Sequence, residues 1–194
     1  MHPPSRPGPL GRADVRVRRA QPGDEAAVAR VQLVTWRTAY RALLPAEVLD
    51  GWDEQGAADA WAEAIGAPPG PDHGVLVAVE SDDVVGVAAF APAGTPDDQP
   101  AAELTTLLVE PRWGRRGHGS RLLAAVADLA GERGVGTLVS WVPEADEVTA
   151  GFLRSAGWAP DGWARDLDTG TATIRQLRWH TRLDDERDDD RGAP

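Results

Sequence analysis

The sequence contains no cysteine among its 194 residues, so neither a disulfide framework nor a thiolate nucleophile is available to it. It also has no excess of positively charged residues: the net charge of −11 argues against non-specific binding to nucleic acid or anionic lipid. No apolar run approaches the roughly 18 residues of a membrane span, and the first residues have no apolar secretory core. These absences predict a cytoplasmic protein that has neither nucleic acid nor a membrane as a partner.

Composition divides the chain into three parts. The Pro- and Gly-rich residues 1–13 predict a disordered N-terminal segment. Near the other end, "DDERDDDR" combines six acids with two arginines and predicts an acidic, disordered tail over residues 183–194. Residues 14–182 between them have the length and apolar content of one domain with a substantial core.

The hydrophobic pattern of residues 14–182 predicts elements in the order β-α-α-β-β-β-α-β-α-β-β. The predicted strands are 14–20, 75–81, 84–92, 101–111, 136–142, 162–168 and 172–183. The predicted helices are Glu25 to about Leu44, 54–66, a helix after Gly119 that ends at Gly131 or Gly134, and 146–157, with a turn and a short helix in 44–52. A turn at Asp82-Asp83 joins the second and third strands. This order indicates an α/β fold with a mixed sheet and helices on both faces.

The stretch "VEPRWGRRGHGSRLL" (109–123) places glycines and arginines between a strand and a helix. Unpaired N–H groups at a helix N-terminus and the positive end of its dipole form an anion site, and glycines let the backbone approach a phosphate. Arg115, Arg116 and Arg121 would add positive charge. The stretch lacks the Gly-Lys-Ser/Thr of a P-loop and the G-x-G-x-x-G spacing of a dinucleotide site. A glycine-rich turn with solvated arginines remains an alternative on these residues alone.

Two longer stretches, "AELTTLLVEPRWGRRGHGSRLL" and "LVSWVPEADEVTAGFLRSAGW", together resemble the signature region of the GNAT superfamily of N-acetyltransferases. The family's loop has the form Gln/Arg-x-x-Gly-x-Gly/Ala. Gly117 and Gly119 match it, whereas Gly114 stands where Gln or Arg is usual. The opening of the domain resembles a bacterial branch with a Trp-x-x-x-Tyr pair, here Trp36 and Tyr40. The resemblance covers about residues 14–182.

The resemblance implies a GNAT fold, with a mostly antiparallel sheet of about seven strands, and acetyl-CoA as co-substrate; no metal is expected. The implied cofactor-binding residues are Leu107, Leu108, Val109, Gly114, Arg115, Arg116, Gly117, His118, Gly119, Ser120, Asp146 and Phe152. Within this set, His118 is predicted to be a solvent-facing loop residue. Ser120 is either a phosphate contact or a helix cap, and Asp146 is either a helix cap or a pantetheine contact.

Acetyl transfer to an amine needs a base for the amine's proton and a donor for the oxyanion. Glu103 matches the position of the family's glutamate base, and strand alternation predicts that Glu103, Thr105 and Leu107 share one face. An exposed, non-functional carboxylate is the alternative for Glu103. The Leu107 amide matches the group that polarises the thioester. Leu153 stands where family members often have a tyrosine acid, so thiolate leaves unaided, or water or another group replaces that acid.

Trp36, Tyr40 and Trp141 are the predicted acceptor-binding residues, with core or interface packing as their alternative. Five other tryptophans are predicted to pack: Trp52, Trp61, Trp158, Trp163 and Trp179. The leading hypothesis is an acetyl-CoA-dependent N-acetyltransferase that acts on a primary amine of a small molecule or peptide. The alternatives are a catalytically silent acyl-CoA-binding module, which the changes at Gly114, Asp146 and Leu153 motivate, and a phosphate-ligand binder unrelated to CoA. Homodimerisation is compatible with such a fold, and the net acidity slightly favours cationic acceptors.

Overall fold

The structure is a computed structural model that describes residues 14–39, 41, 51–94, 100–170 and 173–183. The predicted N-terminal segment and acidic tail, Tyr40, and most of the predicted turn and short helix at 44–52 lie outside these ranges.

Within the described ranges the chain forms seven strands and four α-helices in the predicted order. The strands are β1 (Val15–Arg19), β2 (Gly74–Glu80), β3 (Asp83–Ala93), β4 (Ala101–Val109), β5 (Thr137–Pro143), β6 (Ala159–Asp168) and β7 (Thr173–Arg182). The helices are α1 (Glu25–Ala39), α2 (Glu54–Gly66), α3 (His118–Gly131) and α4 (Glu147–Ser155). A 3₁₀ helix at Pro111–Trp113 replaces the predicted end of the fourth strand, because the proline cannot donate to the ladder.

The seven strands form one sheet in the order β1-β2-β3-β4-β5-β7-β6. Every pairing is antiparallel except that of β4 with β5, which is parallel and runs only from Ala101↔Thr137 to Glu103↔Val139. The predicted mixed, mostly antiparallel sheet is thereby confirmed. None of the helices in the described ranges is both long and apolar enough to cross a membrane.

Helices cover both faces of the sheet, and each face has its own core. On one face, Leu122 and Val126 of α3 and Leu153 of α4 pack with Leu138 of β5. On the other face, Val28 and Val31 of α1 and Trp61 of α2 pack with Val77, Val87 and Leu108 of the sheet. We call these the α3 face and the α1 face. Each fully buried aliphatic side chain contributes about 1.5–3 kcal/mol, so these two cores hold the frame on which the loops lie.

The first helix begins where the sequence predicts, directly after Asp24. The Asp24 carboxylate accepts two hydrogen bonds from Arg18 (2.6 and 2.9 Å) and one from the backbone N–H of Gln21 (2.8 Å). The Arg18 hydrogen bonds outweigh the effect of burial and hold the pKa of Asp24 below its usual value. This bidentate pair fixes β1 to the start of α1.

The β2–β3 turn lies one residue earlier than predicted. Asp83 pairs with Glu80, so the turn residues are Ser81 and Asp82, and Ser81 takes the left-handed conformation (φ 58°). The sequence predicts the turn at Asp82-Asp83 because aspartate is common in turns, whereas Asp83 is the first residue of β3. The correct register places Glu80 at the last position of β2.

Strand β4 contains a bulge, which corrects the predicted face of its polar residues. Ala89 pairs with Thr106 and the next residue, Phe90, pairs with Leu104, so Thr105 is an extra residue in β4. A bulge reverses strand alternation beyond it. Leu104 and Leu107 both pack on the α3 face, and Glu103 therefore lies on the α1 face. The prediction that Glu103 and Leu107 share a face is wrong.

Candidate active site

Strands β4 and β5 diverge after their short parallel pairing and leave a cleft between them. The cleft has a volume of about 230 Å³. Its walls are Gln32, Trp36, Leu104, Thr105, Thr106, Leu107, Leu108, Ser140, Trp141, Val142, Pro143, Asp146, Thr149, Leu153, Leu167, Ile174 and Gln176. Because none of the described strands pairs with β4 on this side beyond Glu103, the edge of β4 faces the opening and could pair with an extended ligand.

The glycine-rich stretch forms a tight loop and then the N-terminus of α3, as predicted. Arg115 (φ 60°) and Gly117 (φ 81°) both take left-handed backbone conformations, and Gly117 is the N-cap. The first intrahelical bond runs from the N–H of Arg121 to the Gly117 carbonyl, so the amides of His118, Gly119 and Ser120 have no intrahelical acceptor. The cap has no side-chain hydrogen bond and Ser120 is exposed, which excludes the capping alternative for Ser120.

A larger cavity of about 840 Å³ lies against this helix N-terminus. It is lined by Thr35, Leu107, Leu108, Val109, Pro111, Trp113, Gly114, Arg115, Gly117, His118, Gly119, Ser120, Asp146, Val148, Thr149 and Phe152. Leu107, Leu108, Asp146 and Thr149 line the β4–β5 cleft as well. The cavity at the N-terminus of α3 and the cleft between the strands are therefore two parts of one groove.

The loop arginines are less free than the sequence suggests. Arg116 donates from Nη1 to the buried carboxylate of Glu80 (2.8 Å), and its guanidinium lies 4.8 Å from the Trp113 ring centre. Arg121 donates to the Arg116 carbonyl (2.9 Å). Arg115, by contrast, is exposed and lines the larger cavity. Arg115 is therefore the arginine that can offer its positive charge to a ligand in the larger cavity. The charge of Arg116 is largely compensated by Glu80.

His118 is buried, and the prediction of a solvent-facing loop residue is wrong. Only 1% of the residue is exposed, and its Nε2 lies 2.7 Å from the second oxygen of Glu80. As the first residue of α3, it is turned inward beneath the loop instead of outward from it. Nothing in the local sequence marks this contact, because Glu80 is 38 positions away. Glu80 thus ties both the loop and the first turn of α3 to the end of β2.

Glu80 makes the stability of the fold sensitive to acid. Burial opposes ionisation of Glu80, yet the hydrogen bonds from His118 and Arg116 outweigh it and hold its pKa below the usual 4.5. Glu80 therefore stabilises the fold above pH 4.5, and this contribution is lost as the pH falls through the lowered pKa. We expect Glu80→Gln to flatten the fall of the melting temperature on acidification below about pH 5.

Asp24→Asn is the matched control for Glu80→Gln. The pKa of Asp24 is also lowered, by its bonds to Arg18, but Asp24 lines neither cavity. Both variants should flatten the acid limb of a melting-temperature profile. Only Glu80→Gln should also change the Kd for an anionic ligand at the N-terminus of α3, lowering it by up to about tenfold, because loss of the carboxylate leaves the charge of Arg116 uncompensated. Equal Kd values in the two variants would show that Glu80 does not influence this site.

Asp146 is the N-cap of α4, as the sequence suggests. Its carboxylate accepts from the backbone N–H (3.0 Å) and the hydroxyl (2.7 Å) of Thr149. It is only 6% exposed and lines both parts of the groove, so capping and a ligand contact are compatible roles.

Phe152 also lines the larger cavity, where a Cβ added at Gly119 would meet its ring at 3.5 Å. Leu153 is 1% exposed and packs in the α3-face core.

The predicted acceptor residues are only partly brought together. Trp36 and Trp141 line the same cleft, and Trp36 also contacts Trp52 edge to face (4.8 Å between ring centres). Tyr40 lies outside the described residues.

Glu103 is half-buried at the closed end of the β4–β5 pairing and is not among the residues that wall the cleft. Trp163, predicted to pack, is 54% exposed.

Several cleft residues escaped the sequence reasoning. On α1, Gln32 lies one turn before Trp36 and accepts a hydrogen bond from the Trp61 indole (2.7 Å). Leu167, Ile174 and Gln176 belong to the last two strands, whose polar and charged sequence shows little alternation. The pairing register of the two strands could have identified them. Residues that face each other in an antiparallel pair lie on the same face of the sheet, so Ile174 and Gln176 lie on the same face as Leu167.

Comparisons with known proteins agree with this geometry. The sequence profile of the Acetyltransferase (GNAT) family matches residues 33–158. The uncharacterised N-acetyltransferase YuaI of Bacillus subtilis (strain 168) is 29% identical over 131 residues, which are 67% of this chain and 72% of that protein. The structure of PaiA N-acetyltransferase from Thermoplasma acidophilum with coenzyme A superimposes with a TM-score of 0.71 at 16% identity, over 87% of this chain and 99% of that one. YncA from Salmonella typhimurium with acetyl-CoA gives a TM-score of 0.65 at 20% identity, over 94% and 98%.

Proposed function

The chain belongs to the Acetyltransferase (GNAT) family, and from this premise we propose that it transfers an acetyl group from acetyl-CoA to a primary amine. The observation that carries the proposal is the continuous groove, which runs from the helix N-terminus at Gly117 to the open edge of β4. Its shape suits a ligand with a phosphate group at one end and an extended arm at the other. Two solved structures with the same fold hold coenzyme A and acetyl-CoA respectively.

In this proposal the pyrophosphate of acetyl-CoA accepts hydrogen bonds from the amides of His118, Gly119 and Ser120. The dipole of α3 and the guanidinium of Arg115 add positive potential at the same place. The pantetheine arm pairs with the free edge of β4 over Leu107–Val109 and packs beside Phe152. The acetyl group then lies where β4 and β5 diverge.

The chemistry needs few protein groups. The neutral amine nitrogen attacks the thioester carbon, and the Leu107 amide stabilises the oxyanion of the tetrahedral intermediate. Glu103 receives the amine's proton, directly or through water, and collapse of the intermediate breaks the C–S bond. Because Leu153 is a buried core residue, no acid stands at that position, and the thiol leaves as thiolate. Trp36 and Trp141 contact the body of the acceptor.

Calorimetric titration with acetyl-CoA, followed by an assay of CoA release with a panel of amines, tests this function. We expect saturable one-to-one binding of acetyl-CoA and of CoA, and amine-dependent release of CoA. Binding without release for any amine would support a silent acyl-CoA-binding module instead, as the leucine at position 153 permits. The absence of binding, or tighter binding of free nucleotides than of CoA, would overturn the assignment of the groove.

A further inference from the structure

The acceptor side of the cleft includes one continuous strip of the α1 face, built from three strands. Trp141 pairs with Arg178, Gln176 pairs with Arg165, and Ile174 pairs with Leu167 across β5, β7 and β6. Facing residues of antiparallel pairs share a face, so all of these side chains lie on the same side of the sheet. Trp141, Gln176, Ile174 and Leu167 are cleft walls. The two arginines of the strip flank those walls.

Arg165 is held in place by two of the cleft walls. Its guanidinium carbon lies 4.4 Å from the ring centre of Trp141, within the range of a cation–π contact. Its Nε donates a hydrogen bond of 2.7 Å to the Gln176 side-chain oxygen. The residue is exposed, so its remaining N–H donors face solvent. A guanidinium that is already stacked and oriented loses little side-chain entropy when it binds a planar anion.

Two neighbouring arginines of the last two strands, Arg175 and Arg178, have acidic partners, whereas Arg165 has none among the described residues. Arg178 pairs with Asp161 at 2.7 Å, and Arg175, on the opposite face, lies 3.8 Å from Asp166 and 3.9 Å from Glu144. Among the residues that the structure describes, Arg165 forms no ion pair. Asp146, the one carboxylate among the described residues that wall the cleft, already accepts two hydrogen bonds as the cap of α4. In a chain of net charge −11, an uncompensated cation beside the acceptor cleft is a local exception.

We propose that Arg165, stacked on Trp141, binds a carboxylate of the acceptor, so that the acceptor is an amino acid or another amine that carries a carboxylate. This inference rests on the proposed acetyl transfer and names its substrate class. Two parallel N–H···O bonds match a carboxylate to a guanidinium. The apolar body of the acceptor packs against Trp36, Leu167 and Ile174, with its amine toward β4. The net acidity of the chain alone favours cationic acceptors; the local geometry overrides that expectation.

Matched acceptors and matched variants test the proposal. L-Phenylalanine, L-phenylalaninamide and 2-phenylethylamine share an aromatic body and a primary amine, and only the first carries a carboxylate. With rates corrected for the fraction of neutral amine, we expect the highest kcat/KM for phenylalanine. Arg165→Gln should lower that value by about tenfold to a hundredfold and leave the values for the amide and the amine unchanged. Arg165→Lys should fall between, because lysine keeps the charge and loses the planar fork.

Arg175→Gln is the control, because Arg175 lies on the opposite face and already has acidic partners. It should behave like the wild type, and all variants should bind acetyl-CoA equally. Equal use of phenylalanine and its amide by the wild type, or an equal loss for both in Arg165→Gln, would overturn the proposal. If acetyl-CoA binds but no amine is acetylated, the proposed function fails. Tryptophan fluorescence titrations with N-acetyl-L-phenylalanine and its amide then decide the inference, which falls if Arg165→Gln does not weaken carboxylate binding selectively.

Discussion

Replacing Gly119 with aspartate should abolish acetyl-CoA binding without loss of the fold. Gly119 is the second residue of α3 and lines the cavity at the anion site. Two like charges about 4 Å apart repel each other by about 4 kcal/mol at an effective dielectric of about 20, which sets the scale for a carboxylate beside a bound pyrophosphate. After solvent screening, we expect the Kd to rise at least about a hundredfold. Calorimetric titration measures the change directly.

The same substitution should leave stability unchanged or raise it, because an acidic side chain in the first turn interacts favourably with the helix dipole, by about 0.3–1 kcal/mol. Gly119→Ala is the matched control: an added Cβ would make ordinary contacts, 3.5 Å from the Phe152 ring and 3.8 Å from Val109. The alanine variant should bind acetyl-CoA within a few-fold of the wild type. A low melting temperature in the aspartate variant, or normal binding by it, would contradict the assignment of the anion site.

Local patterns in the sequence were sufficient for the order of elements and for the glycine-rich loop that precedes α3. Helix α2 was predicted over 54–66 and is observed as Glu54–Gly66, because Asp53 caps one end and the glycine and prolines that follow end the other. The glycine-rich loop was identified because the left-handed backbone at Gly117 favours glycine, so that glycine reports the local backbone geometry directly. Such features are determined by a few consecutive residues and can therefore be predicted from the local sequence.

Features that depend on strand register or on distant partners were not accessible from the sequence. The bulge at Thr105 has no glycine or proline to mark it, and it moved Glu103 to the face opposite Leu107. Glu80 pairs with the exposed Arg116 and with the buried His118, and no local pattern in the sequence marks either contact. Arg165 lies beside the cleft only because β7 inserts between β5 and β6 in the sheet. Long-range pairing, rather than composition, decides which charges are available to a ligand.

The second large effect is expected at Glu103. Glu103→Gln should leave the affinity for acetyl-CoA unchanged and lower kcat by about a hundredfold at neutral pH, within the range for loss of a general base. The deficit should shrink as the pH rises, because hydroxide then competes for the proton that the attacking nitrogen releases and that Glu103 otherwise receives. A purely structural defect would persist at all pH values and would change the melting temperature. Steady-state kinetics across the pH range separates these outcomes.

The structure also supplies a competitor for this role, since His180 pairs with Val139, which in turn pairs with Glu103. Trp179 and Leu138 pack on the α3 face, so His180 and Val139 point to the α1 face, as Glu103 does. His180→Gln is therefore the informative partner variant. If Glu103 is the base, His180→Gln keeps most of its activity and its pH profile. A hundredfold loss confined to His180→Gln would transfer the role of base to the histidine and leave the groove, the cofactor site and the reaction as proposed.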